Sequence, residues 1–125
     1  MEVEFDKQYL ADLYSMGKTS DKKHRFQPQV INGYLKCIRA LMSASRIEDL
    51  FLYRSLNYEK LCGDLNGYSS MRANDQYRVI FKEIKGQESD HIEICNIIDL
   101  TNHYRWVLLI RFVIFWIYFR GQIVS

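Results

Sequence analysis

The sequence is poor in the residues from which small proteins build special frameworks. Its three cysteines, Cys37, Cys62 and Cys95, include no C-x-x-C pair, and only three histidines accompany them. A zinc site is therefore not expected. An odd thiol count also argues against a disulfide framework and fits a reducing cytoplasm. A single proline in a chain that is 48% hydrophobic and 26% charged excludes the disordered and collagen-like classes. No G-x-x-x-x-G-K-[ST], G-x-S-x-G or H-E-x-x-H occurs, so nucleotide hydrolysis, serine-hydrolase and zincin chemistry lose their sequence support. Glu2, Glu4 and Asp6 interrupt what a secretory signal would need as an apolar run. At 125 residues there is room for one domain and its core, and none for a second of ordinary size.

Charge is scarce too. The net of +2 comes from 17 basic against 15 acidic residues, but Arg105 to Ser125 hold three arginines and no acid. Residues 1–104 thus carry 14 basic against 15 acidic groups, a net of −1. Such a body is no polycation, and a grip on nucleic acid has to come from a local patch.

What is present is clear periodicity. Val3 and Phe5 alternate with Glu2, Glu4 and Asp6, which predicts a half-buried strand. Asp6 is the expected cap of a short helix carrying Tyr9, Leu10, Leu13 and Tyr14, with Gly17 as its stop. The polar run Gly17 to Arg25 reads as a loop. Beyond Pro28, Val30, Ile31, Tyr34, Leu35, Ile38, Leu41 and Met42 form one apolar stripe, the signature of a long helix. Arg46 to Tyr53 reads as a short turn or helix packed back on it. Strands follow at Tyr68–Ala73, Tyr77–Ile84 and His91–Ile98, separated by the polar turns Asn74–Gln76 and Lys85–Asp90. Helices first and a meander of strands afterwards predict an α+β domain, a small antiparallel sheet with an N-terminal strand and two to three helices packed on one face. The other face is then at least partly open, where a site is expected.

Arg72 and Arg78 flank the first hairpin turn, so two guanidinium forks suited to phosphate oxygens project near one sheet edge. The same positions fit solvated arginines paired with Glu83, Glu93 or Asp75, and periodicity alone favours that plainer reading. His103, beside Tyr104 and following Asp99, is of the type that shuttles a proton, though a lone histidine is more often a surface or capping residue. Glu59 and Lys60 open the segment EKLCGD, where a carboxylate beside a phosphodiester can serve as a base and more commonly is a solvated strand end.

The ordered set GKTS (17–20), LNYEKLCGD (56–64), GYSSMRANDQYRVIF (67–81) and ICNIIDLTNHY (94–104) resembles the HigB branch of the RelE/HigB/ParE toxins over residues 1–104. The family pattern L-x-G-D-x-x-G-x-x-S-x-R-x-N-x-x-Y/W-R is matched by Leu61, Gly63, Asp64, Gly67, Ser70, Arg72, Asn74, Tyr77 and Arg78. The resemblance implies a type II toxin that enters the ribosomal A site and cuts messenger RNA as a metal-independent endoribonuclease without a cofactor. The resemblance also implies a helix-turn-helix antitoxin that silences it. It implies Arg78 as the catalytic arginine and Arg72 as a second phosphate contact. Lys60, Tyr68 and Tyr104 complete the expected RNA-binding set, with Tyr77 packing the site wall. Where many members carry histidine and lysine in an H-x-L-K-G version of the segment, this chain has Glu59 and Cys62. Acid–base work then falls to Asp99, Glu59 or His103, a choice the sequence leaves open.

Residues 105–125 fall outside the resemblance. Trp106 to Phe119 hold thirteen apolar residues in fourteen, short of the roughly 20 that span a bilayer. They read as a packing or self-association element or as a reading-frame accident, with membrane contact third. A ParE-like gyrase inhibitor that cuts nothing and a membrane-active small protein are the alternative functions.

Overall fold

Strand β1 spans Glu2–Phe5, its odd residues half-buried and its glutamates exposed, as the alternation requires. The computed structural model describes residues 1–87 and 91–102. Helix α1 (Gln8–Met16) buries Tyr9, Leu10 and Leu13 and stops at Gly17, whose left-handed backbone (φ 71°) lets its N–H reach the Leu13 carbonyl. Asp6 does not cap this helix. Lys7 takes the N-cap position and makes no side-chain cap bond, while the Asp6 N–H continues the sheet by donating to Ile97.

After a single 3₁₀ turn at Lys22–His24, α2 (Pro28–Ser43) places proline in its first turn, where a missing N–H costs nothing. Val30, Tyr34, Cys37, Ile38 and Leu41 form its buried stripe. Arg46–Tyr53 supplies the expected short turn as 3₁₀ helix over Ile47–Leu52, followed by a second at Arg54–Leu56. The strands are β2 (Glu59–Lys60), β3 (Tyr68–Arg72), β4 (Arg78–Lys85) and β5 (Ile92–Thr101), with a 3₁₀ turn at Gly63–Leu65 between β2 and β3.

The sheet order is β1-β5-β4-β3-β2. Three pairings are antiparallel, but β1 lies parallel to β5, Val3 opposite Cys95. The sheet is therefore mixed: hairpins force antiparallel neighbours, whereas β1 and β5 are joined only through the rest of the chain. Both α-helices pack on one face, burying Met71, Val79, Phe81, Cys95 and Ile97 against α1 and α2. Among the described residues, the opposite face carries a small apolar cluster, Leu61 and Ile80 with Leu65, Tyr68 and Ile98 around them.

Charge is divided between these layers. From residue 13 to 47, the stretch containing the α1–α2 loop and α2, there are seven basic residues and one acid, a net of +6. Lys18, Lys22, Lys23, Arg25, Lys36, Arg39 and Arg46 are all exposed. The rest of residues 1–104 holds seven basic against fourteen acidic groups, a net of −7. On α2 the outward stripe is Gln29, Asn32, Lys36, Arg39 and Ser43.

Three phenols and two thiols are built into the core in neutral form. Tyr34 is wholly buried and donates to the Leu10 carbonyl at 2.7 Å. Burial raises its pKa above the ordinary 10.0, and raises those of Tyr9 and Tyr58 with help from hydrogen bonds to Asp99 and Glu83. Burial likewise pushes the Cys37 and Cys95 thiols up to about 12 from 9.0. Groups raised on folding contribute stability that is complete below their unfolded values and lost as pH rises through the folded ones. Alkaline titration is therefore expected to ionise Tyr9, Tyr34 and Tyr58 only together with unfolding. Phenolate absorbance and helical circular dichroism followed on one sample test this. Reversible ionisation of every tyrosine near pH 10 with the helices intact would contradict it.

Candidate active site on the open sheet face

Register puts Arg72 and Arg78 directly opposite each other at the mouth of the β3–β4 hairpin. Strand alternation gives them the same face as Ser70 and Tyr68. The turn between them is tightly made. Ala73 and Asn74 both donate backbone N–H groups to the Tyr77 carbonyl, and the Asn74 side chain accepts from Gln76 and Tyr77. Tyr77 packs its ring edge-on against Phe26 at 5.6 Å, on the helical side of the sheet.

The two arginines have different surroundings. Arg72 is 44% exposed and pairs with Asp75 in the turn, one of the partners the plainer reading names. Arg78 is only 12% exposed. Its Nε and Nη2 donate to Ser70 Oγ at 3.1 and 2.9 Å, and Nη2 also donates to the Asn57 carbonyl at 2.7 Å. Among the described residues it pairs with the Glu59 carboxylate, Oε2 at 3.9 Å from Nη2. Neither Glu83 nor Glu93 takes that place: Glu83 accepts from Tyr58 and Ser69 on the helical side, and Glu93 lies against Gly86. Glu59 faces Arg78 because β2 pairs Glu59 with Ser70.

That same pairing removes Lys60. It stands opposite Ser69, on the helical side of the strand, and lines a groove of about 1070 Å³ with Arg46, Glu83, Lys85 and His91. Period-two alternation thus separates Lys60 from the Arg78 site. Tyr68 shares the open face with Arg78, half-buried beside Leu61 and Ile80.

Asp99 is tied to the helical layer instead of to Arg78. The strand register skips Ile98 at this point, and Asp99 Oδ1 accepts from Tyr9 Oη at 2.5 Å and from the Leu100 N–H at 2.9 Å. Tyr9 in turn stacks on His24 at 3.7 Å, and His24 Nδ1 meets Asp21 at 2.8 Å. The hydrogen bond from His24, with that from the Lys23 N–H, holds the Asp21 carboxyl below its ordinary range. His103 and Tyr104, as well as residues 105–125, lie outside the described residues. Among the described residues no group of three or more His, Cys, Asp or Glu is arranged to hold a metal ion. No helix among them is long and apolar enough to cross a membrane.

A family model described as the RelE-like toxin of the type II toxin–antitoxin system HigB matches residues 3–95. The chain belongs to the HigB toxin family. A HigB relative, Toxin HigB-1 of Vibrio cholerae, is 34% identical over 87 residues, 69% of this chain and 87% of its own. YafQ from E. coli strain BL21(DE3) superposes with a TM-score of 0.50 at 15% identity, over 79% of this chain and 89% of its own, which confirms the α+β fold. A YoeB/ParE toxin from Agrobacterium tumefaciens gives a TM-score of 0.48 at 18% identity, covering 80% of this chain and 95% of its own. As a HigB toxin of a type II system, the chain has a cognate antitoxin as its partner. The fold and the HigB resemblance read from the sequence are thereby borne out.

Two features of this HigB site escape sequence reasoning. Ser70 is in the family pattern, yet its hold on Arg78 depends on a cross-strand diagonal. Asn57 lies outside the pattern and holds Arg78 through its backbone carbonyl. The positive layer, by contrast, was detectable by counting charge in windows; the overall net conceals it.

Proposed function

We propose that this toxin is a ribosome-dependent endonuclease that cuts messenger RNA without a metal ion. The observation that carries the reading is the largely buried Arg78 guanidinium beside the Glu59 carboxylate on the open sheet face. Glu59 takes the proton of a ribose 2′-OH, and the 2′-oxygen attacks the adjacent phosphorus. Negative charge grows on the non-bridging oxygens, where Arg78 stabilises it and Arg72 adds a second cation. The bond to the 5′-oxygen breaks as that oxygen gains a proton, leaving a 2′,3′-cyclic phosphate and a 5′-hydroxyl. His103 is assigned the proton donor's role, and Tyr68, with Tyr104, offers a face on which a base stacks. Asp99, bonded to Tyr9, is assigned to holding α1 on the sheet.

The positive helical layer supports the ribosome as partner. Exposed cations along α2 and its preceding loop suit a phosphate backbone. Protein interfaces centre on apolar anchors, and among the described residues the large exposed apolar side chains, Tyr14, Met16, Phe51, Leu52 and Tyr53, lie outside α2 and the loop before it, Tyr14 and Met16 at the end of α1. The toxin then works in the cytoplasm, with a helix-turn-helix antitoxin as its silencer and residues 1–104 as the active domain. Inducing the protein in translating cells and mapping mRNA 5′ ends is expected to show new, codon-aligned cuts, retained by a chain ending at Tyr104. Absence of such cuts, or equal cutting of ribosome-free mRNA, would remove the proposal.

A further inference from the structure

We infer that Asn57 and Ser70 are positioning residues that hold the Arg78 cation and the Glu59 base close together but unbonded to each other; the inference rests on the cleavage reading above. An arginine side chain is long and rotamer-rich, so a guanidinium aimed at phosphate has to be held. Ser70 does this from a wholly buried position. One hydroxyl oxygen accepts from both Nε and Nη2, which fixes the plane of the guanidinium as well as its place.

Asn57 contacts both charged groups. Its carbonyl accepts from Arg78 Nη2 at 2.7 Å, and its side-chain amide donates to Glu59 Oε1 at 3.4 Å. It does so from a left-handed backbone, φ 46° and ψ 60°, the one non-glycine residue with positive φ among the described residues. Such conformations persist where surrounding structure over-determines them, and they cluster at functional sites. Here the consequence is geometric. Arginine and carboxylate left to themselves close into a two-bond fork, which would spend the base and the phosphate ligand on each other. With Asn57 bonded to both, the Arg78–Glu59 separation is 3.9 Å, beyond hydrogen-bond length. Each group is near the other without being bonded to it.

The test uses the full chain and two readouts. In single-turnover cleavage on mRNA-programmed ribosomes, Ser70→Ala is expected to lower the rate constant about 10- to 100-fold with KM and antitoxin affinity unchanged. Asn57→Gly keeps the left-handed backbone and the carbonyl but deletes the amide, so its rate constant falls while Arg78 remains held. The second readout is solvent exchange of the Arg78 Nε–H proton by NMR. It is slow in the unmutated protein and in Asn57→Gly, and fast in Ser70→Ala. Normal cleavage by Ser70→Ala, or unchanged Nε–H exchange in it, would overturn the inference. So would a rate loss matched by equal losses of thermal stability and antitoxin binding. An unmutated protein that cuts nothing while Ser70→Ala still releases the Nε–H proton would sink the cleavage reading and leave the positioning role standing.

Discussion

Replacing Arg78 by alanine is expected to lower cleavage of ribosome-bound mRNA by about 10²–10³-fold, the usual effect of deleting a donor that meets charge developing in a transition state. The effect is large because, among the described residues, neither of the other two candidate cations is placed to substitute. Arg72, its cross-strand neighbour, is committed to Asp75 in the turn, and Lys60 is on the other face. Lysine at position 78 keeps the charge but not the fork. It cannot present Nε and Nη2 together to Ser70, so it should restore only a small part of the rate. The alanine change also leaves the buried Ser70 hydroxyl without its donors, at a stability cost of about 1–3 kcal/mol, so thermal unfolding is measured alongside. Cleavage by the alanine variant within a few-fold of the unmutated protein would refute the assignment.

Gly33→Ala is expected to destabilise the protein even though it should improve the helix. In an exposed helix the change gains about 1 kcal/mol. Gly33, however, is where α2 crosses the β3–β4 turn: a Cβ there would stand 1.7 Å from the Ala73 carbonyl oxygen and 2.6 Å from its carbon. Both are backbone atoms of a turn pinned by the Tyr77 carbonyl, so there is no flexible side chain to move aside. Overpacking of this kind costs about 1–3 kcal/mol or more, and it outweighs propensity. Thermal unfolding is expected to fall by roughly 5–20 °C, and Gly33→Val to be worse. Because Ala73 adjoins Arg72, cleavage should fall as well. An increase in melting temperature would show that the helix and hairpin can part without cost.

What was legible in the sequence was local. Alternation at Glu2–Asp6, the apolar stripe after Pro28 and the turn residues at Asn74–Gln76 each declare an element within its own few residues. The parallel pairing of β1 with β5 was not legible, because it joins the first and last strands in the sequence and leaves no periodic mark. Nor was the capping of α1, where the Asp6 N–H serves the sheet and Lys7 stands at the cap. Within the site, Arg78 was found by pattern, and the opposite facing of Glu59 and Lys60 follows from alternation once β2 is known to be a strand. The nearness of Glu59 to Arg78 spans three strands, and the grip of Asn57 needs a backbone angle that its residue type permits but does not announce. Asp99 is instructive in the other direction. Its type suits acid–base work, yet its first obligation is to the Tyr9 hydroxyl.

The division of charge between the layers has a consequence for how the molecule arrives. A body of near-zero net charge would be expected to approach a polyanion without preference and to respond little to salt. Within residues 1–104, a stretch of net +6 set against a net of −7 in the rest gives this body a large electric dipole. In the field of a polyanion such a dipole experiences a torque before contact, and rotates its helical side inward within about a Debye length, roughly 8 Å at physiological ionic strength. The sheet face bearing Arg78 is then turned away from the surface that captures the protein.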